Sequence, residues 1–162
     1  MINQDQTVLV VEDSDDDYAA LVRILCSKGD AMPSLHRCEN GRQALDYLLR
    51  KGSFHNPSDA VRPALILLDI NMPGIDGSNV LAEIKRDRSL RSIPVIIMTT
   101  SDDQYVIEAC YQMGANACVQ KSFCSSEFSH AVHRVVDFWL NVAMLPRLDA
   151  VRSEVNTPTF EN

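Results

Sequence analysis

Residues 64–77 read Ala64-Leu65-Ile66-Leu67-Leu68-Asp69-Ile70-Asn71-Met72-Pro73-Gly74-Ile75-Asp76-Gly77. An unbroken apolar run followed by Pro-Gly and Asp-Gly turn signals is the pattern of a strand buried on both faces. The strand is expected over 64–68, and it delivers the Asp69 carboxylate at its C-terminal tip. A second run, Thr7-Val8-Leu9-Val10-Val11, ends in Glu12-Asp13. If these two strands lie side by side, three carboxylates crowd one small site. Their mutual repulsion calls for a divalent cation and a nearby amine.

Further apolar runs predict strands over 34–38, 94–98 and 117–120, alternating with helical patterns. Ser14 is placed to cap a first helix whose opening turn, Asp15-Asp16-Asp17, suits the positive end of the helix dipole. Its apolar stripe is Tyr18, Leu21, Val22 and Leu25. A second helix starts near Asn40, a third follows Gly77, and a fourth follows Ser101 and stops at Gly114. A fifth is expected over about 125–144. Regular strand–helix alternation implies an α/β fold, a parallel sheet wound on both faces by five helices. Lys51 to Pro63 reads as a long surface loop. Residues 1–6 read as a short arm, 7–145 as one domain, and 146–162 as a disordered tail.

The chain has 162 residues and a net charge of −7, which disfavours direct nucleic-acid or anionic-membrane binding. Asn3, Gln4, Asp5 and Gln6 interrupt any signal-like start, and no apolar stretch reaches membrane-spanning length, so a cytoplasmic protein is expected. Five cysteines without a C-x-x-C motif read as small buried hydrophobes. No G-x-G-x-x-G follows the first strand, which argues against dinucleotide binding.

In an open parallel sheet, ligands bind beyond the carboxyl ends of the strands. Glu12, Asp13 and Asp69 fall there. So do Thr99 and Thr100 after the fourth strand, and Lys121 after the fifth. Each has an ordinary use when taken singly: a loop acid, a turn Asp, a strand Thr, a solvated Lys. Their joint placement at strand ends does not.

This constellation resembles the receiver domain of two-component response regulators, over about Thr7 to Leu145. The matching residues are Glu12-Asp13, Asp69 with Met72-Pro73 and Asp76-Gly77, Thr99 and Lys121. The resemblance implies a flavodoxin-like sheet of order 2-1-3-4-5. It implies that Asp69 accepts a phosphoryl group from a histidine kinase. Mg²⁺ would be held by Asp13, Asp69 and the backbone carbonyl of Asn71, with Glu12 acting indirectly. Lys121 would pair with Asp69 at rest, and Thr99 would move to the phosphoryl group and carry the switch.

Two positions depart from the family pattern. Three residues before the lysine the family usually carries Tyr or Phe, which swings when the Thr moves; here it is Cys118. After the lysine it usually carries Pro, often behind a cis bond; here it is Ser122. A cis bond to a non-proline residue costs roughly 2.5–4 kcal/mol. Either that strain is kept, or the bond is trans and Lys121 approaches differently.

The last helix carries more apolar residues than one core face needs. One stripe is Phe128, Val132, Val136, Trp139 and Ala143; the other is Ala131, Val135, Phe138 and Val142. One is expected to cover the sheet, and the other, through Val135, Phe138 and Val142, to form a homodimer. Lys51-Gly52-Ser53-Phe54, Arg62-Pro63, Cys110-Tyr111, Phe138-Trp139-Leu140 and Leu145-Pro146 are similar to regulators paired with bacterial phytochrome kinases. That likeness implies a bacteriophytochrome as the phosphodonor.

Two other functions are compatible with a buried strand-end aspartate. A phosphohydrolase similar to the haloacid dehalogenases would carry its nucleophile after the first strand, with a second Asp two residues later. Here Asp69 follows the third strand and position 71 is Asn. A receiver that only binds partners is the other reading, and Cys118 and Ser122 leave it open.

Overall fold

The structure, a computed structural model, describes residues 6–27, 33–122 and 125–146. Residues 1–5 of the expected arm and 147–162 of the expected tail lie outside that set, as does Cys124. Five strands are present: β1 (Thr7–Val11), β2 (Ser34–Cys38), β3 (Leu65–Asp69), β4 (Val95–Thr99) and β5 (Ala117–Gln120). Between and after them run α1 (Asp15–Cys26), α2 (Gly41–Leu49), α3 (Gly77–Arg86), α4 (Gln104–Gln112) and α5 (Ser126–Asp137). The sheet order is β2-β1-β3-β4-β5 and every pairing is parallel, as expected.

Strand alternation divides the core into two layers. Leu9 and Val11 of β1 face one layer with Ile66 and Leu68, packed beneath α2 and α3 through Ala44, Leu48, Val80, Leu81 and Ile84. Val8 and Val10 face the other with Leu65 and Leu67, beneath α1 and α5 through Leu21, Phe128, Val132 and Val136. Both faces of the central strands are therefore buried, which is why β1, β3 and β4 read as continuous apolar runs.

The third and fourth strands sit one residue later than the sequence suggests. Asp69 is the last residue of β3 and Thr99 the last of β4. Asp69 is in register with Met98, and the next amide, Ile70 N–H, still donates to Met98 O at 3.3 Å. The polar side chain at the end of an apolar run marks the edge of the core, not the end of the ladder.

Helix starts follow the capping chemistry. Ser14, Asn40, Asp76 and Ser125 each accept an amide N–H three residues on, at 3.2, 2.8, 3.0 and 3.2 Å. The cap of α4 is Asp103, and Ser101 Oγ accepts the Asp103 N–H at 3.1 Å. The 51–63 loop contains a short 3-10 turn, Gly52–Phe54. It is fastened to α2: Tyr47 Oη donates to Val61 O at 2.6 Å and Arg62 Nη1 to Leu48 O at 2.5 Å.

The last helix also departs from expectation. After Asp137 it widens into a π-helical turn, Phe138–Val142. That turn carries Leu140 onto the core face behind Phe128, Val132 and Val136, the place assigned to Trp139 and Ala143. Trp139 and Val135 pack partly against the same layer. Phe138 and Val142 are 48% and 65% exposed, so the second stripe is solvent-facing only toward its C-terminal end.

Candidate functional site

The parallel sheet brings the expected residues together at its carboxyl edge. Val11 is in register with Leu68, so Glu12-Asp13 and Asp69 emerge side by side. Thr99 is in register with Gln120, and Lys121 N–H donates to Thr99 O at 2.7 Å. Gly77 lets the β3–α3 loop fold back onto the strand end. A Cβ there would strike the Asp69 carbonyl and lie 2.7 Å from Ile70 Cα.

Lys121 is the electrostatic centre. Its side chain is 3% exposed and its Nζ lies 2.6 Å from Glu12 Oε2, 3.0 Å from Asp69 Oδ2 and 3.2 Å from Asp17 Oδ2. Burial alone would push the ammonium down. The hydrogen bond it donates to Glu12 and the charges of Asp69 and Glu12 reverse this and hold it above the ordinary lysine value. Burial pushes the Glu12 carboxyl up, against the pull of the Lys121 ammonium. The Lys121–Ser122 bond is trans, as are all peptide bonds among the described residues. Of the two alternatives left by Ser122 the trans loop holds, and the lysine still reaches Asp69.

Asp69 is 4% exposed. Its Oδ2 faces Lys121, and its Oδ1 accepts the Asn71 N–H at 2.9 Å. Asn71 also reaches Thr99: its amide Nδ2 lies 3.5 Å from Oγ1, which accepts the Ser101 N–H at 3.0 Å. One loop residue thus ties the carboxylate to the threonine.

Glu12, Asp13 and Asp69 present oxygens that all lie within 4.8 Å of one another. Three carboxylates, Glu12, Asp17 and Asp69, face one ammonium, with Asp13 beside them, and hard oxygen donors at this spacing suit a hard divalent cation. Both Glu12 oxygens are engaged: Oε2 by Lys121 and Oε1 by the Ser14 N–H at 3.1 Å.

The sequence is matched by the family model for the response regulator receiver domain over residues 8–133. The chain belongs to the response regulator receiver family. This receiver is 35% identical over 144 residues to response regulator Rcp1 of Synechocystis, covering 89% of this chain and 95% of Rcp1. Among solved structures it resembles the phosphorylated cyanobacterial phytochrome response regulator RcpA. The TM-score there is 0.80 at 34% identity, covering 88% of this chain and 99% of that one. The manganese-bound form of Rcp1 gives 0.78 at 33%, with the same coverage. Receivers of this family act in two-component signalling, taking a phosphoryl group on an aspartate. No helix among the described residues is long and apolar enough to cross a membrane.

Two residues of the site were not singled out for it in the sequence. The sequence marks Asp17 only as a helix-dipole acid, yet it touches Lys121. Arg37 near the end of β2 reaches over the β1–α1 loop. Its Nε donates to Glu12 O at 3.1 Å, Nη2 to Asp13 O at 3.2 Å and Nη1 to Asp15 Oδ1 at 2.7 Å. It also lies over the Tyr18 ring at 4.8 Å. Nothing local in the sequence signals either contact.

Cys118 is half-buried on β5, and its N–H donates to Tyr111 Oη at 3.2 Å. Where the family usually carries a ring, this receiver has a cavity of about 210 Å³ lined by Thr99, Ser101, Ile107, Tyr111 and Cys118 among others. Burial and the neighbouring Cys110 push the Cys118 thiol up to about 11, so it is not a reactive thiolate. His130 and His133 do not form a metal pair with a third ligand among the described residues; His133 Nε2 lies 3.0 Å from Ser27 Oγ.

Proposed function

We propose that Asp69 is the phosphoryl acceptor of this receiver, within a unit spanning residues 7–145. The observation that carries the reading is the buried Asp69 carboxylate held between Lys121 and the Glu12–Asp13 pair. An Asp69 oxygen attacks phosphorus in line, the bond from phosphorus to the donor's histidine nitrogen breaks, and an acyl phosphate forms. Asn71 holds one carboxylate oxygen through its N–H and leaves Oδ2 beside the ammonium. Lys121 then donates to a phosphoryl oxygen, and Thr99 turns toward the group as the switch, together with position 118.

Asp13, Asp69 and the Asn71 backbone carbonyl would hold Mg²⁺, which supplies charge neutralisation to the transferring group. Glu12 acts on it indirectly, a role supported by the full engagement of its two oxygens. The receiver catalyses only its own phosphorylation and dephosphorylation. The phosphodonor is a sensor histidine kinase of the bacteriophytochrome class in the cytoplasm, a reading supported by the likeness to phytochrome response regulators. The exposed Phe138 and Val142, flanked by Val135, support a homodimer through the last helix.

The test is intact-mass measurement after incubation with acetyl phosphate or phosphoramidate, with and without Mg²⁺. A gain of one phosphoryl group that needs Mg²⁺ and is lost in Asp69→Asn is expected. No gain while Mg²⁺ still binds would leave a receiver that only binds partners.

A further inference from the structure

An ammonium has three donors, and in this receiver three carboxylates meet them. The three are unequal. Glu12 is 1% exposed, and its other oxygen is taken by Ser14 N–H, so releasing it would strand a buried charge. Asp69 is the acceptor itself. Asp17 makes the longest of the three contacts, 3.2 Å, and its side chain is 33% exposed at the start of α1. Only Asp17 can give up the lysine and turn to water at little cost.

We propose that Asp17 is a positioning residue that occupies, in the resting receiver, the Lys121 donor later taken by a phosphoryl oxygen. The inference rests on Asp69 being the acceptor. While Asp17 holds Lys121, an incoming phosphoryl group must displace a carboxylate and approach one more negative charge. Asp17 thereby slows acceptance, and it competes for Lys121 once the acyl phosphate has formed. It stands outside the Glu12–Asp13–Asp69 oxygen cluster, so it acts through the lysine and not through the cation.

Asp17→Asn keeps the shape and a possible acceptor oxygen but removes the charge, and charge-assisted hydrogen bonds are about twice as strong as neutral ones. The rate of phosphorylation by acetyl phosphate at saturating Mg²⁺, followed by intact mass, is expected to rise about fivefold. The half-life of the phosphorylated form, after the donor is removed, is expected to lengthen in the same variant. Mg²⁺ affinity by calorimetry is expected to stay within about twofold, since a charge removed outside the cluster is screened. Asp17→Glu restores the slow rate. Asp16→Asn removes an equal charge from an exposed neighbour in the same turn, and it is expected to leave the rate unchanged.

A rate within twofold of wild type in Asp17→Asn, or an equal rise in Asp16→Asn, overturns the inference. Wild-type protein that takes no phosphoryl group overturns the acceptor reading and this one with it. Wild-type protein that is phosphorylated while Asp17→Asn behaves identically removes this one alone.

Discussion

The guanidinium of Arg37 holds the backbone carbonyl of Asp13 at 3.2 Å while its Nε holds that of Glu12 at 3.1 Å. The backbone that carries Asp13, a proposed cation ligand, is thus held from the next strand. Outer-sphere partners of this kind typically matter 10- to 100-fold in metal affinity. Arg37→Ala is expected to weaken Mg²⁺ binding about tenfold, read by calorimetry. Arg37→Lys is expected to recover little, because a point charge cannot serve three acceptors in a plane.

Lys121 separates carboxylates that would otherwise repel. Removing one partner of a buried ion pair leaves uncompensated charge, so Lys121→Met is expected to lose about 3 kcal/mol in urea unfolding. The loss depends on pH in a defined direction. Burial already raises the Glu12 carboxyl above its ordinary 4.5, and without the lysine nothing opposes that rise. A carboxyl raised in the folded chain supports the fold only while protonated. The variant should therefore be least impaired below about pH 4.5 and lose stability as pH climbs toward neutrality. In the wild type the raised lysine contributes throughout this range and is lost only above pH 10.5.

Gly77 is a steric requirement of the site. Its missing Cβ makes room for the backbone of Asp69 and Ile70. Gly77→Ala is expected to cost about 2 kcal/mol or more and to slow phosphorylation, because the loop bearing Asn71 is pushed off the strand. A thermal melt alongside the mass assay checks both. An unshifted melt would contradict the close approach.

Cys118 stands at a position where the family has an aromatic ring, and about 210 Å³ of space lies beside it. Cys118→Tyr is expected to leave the phosphorylation rate unchanged and to strengthen phosphorylation-dependent association. The readout is sedimentation with and without acetyl phosphate. Equal association in both proteins would show that the thiol is not a weak link.

Phe138 and Val142 leave apolar surface in water at the end of the last helix. If a second copy covers it, Val142→Asp should shift a dimer to monomer at tens of micromolar protein, seen as a fall in sedimentation coefficient. The melt should change little, because Val142 is 65% exposed. Wild-type protein that is already a monomer at that concentration removes the dimer.

The features legible in the sequence were those whose signal is local. Glu12, Asp13 and Asp69 each end an apolar run, and the run alone announces a strand end at which ligands collect. Ser14, Asn40 and Asp76 carry their cap chemistry with them. Asp17 and Arg37 were not legible in this sense. Asp17 meets Lys121 across 104 positions and Arg37 meets Glu12 across 25, so neither contact leaves a periodic or neighbouring trace. The π turn at Phe138–Val142 exchanged Leu140 for Trp139 on the core face, since a 3.6-residue period was extended through a stretch that does not keep it.

Asp69 lies on β3, the middle strand of five, laddered on one side to β1 and on the other to β4. Backbone in such a position exchanges its amide hydrogens only when the domain opens as a whole, while flanking loops open locally. With Asp69 as the proposed acceptor, the covalent mark would be written on the least deformable element of the molecule. The strain it introduces cannot be absorbed where it arises, and it must be relieved in the β1–α1 and β4–α4 loops, whose local stability is lower. Amide exchange before and after phosphorylation would then change in those loops while β3 stays silent.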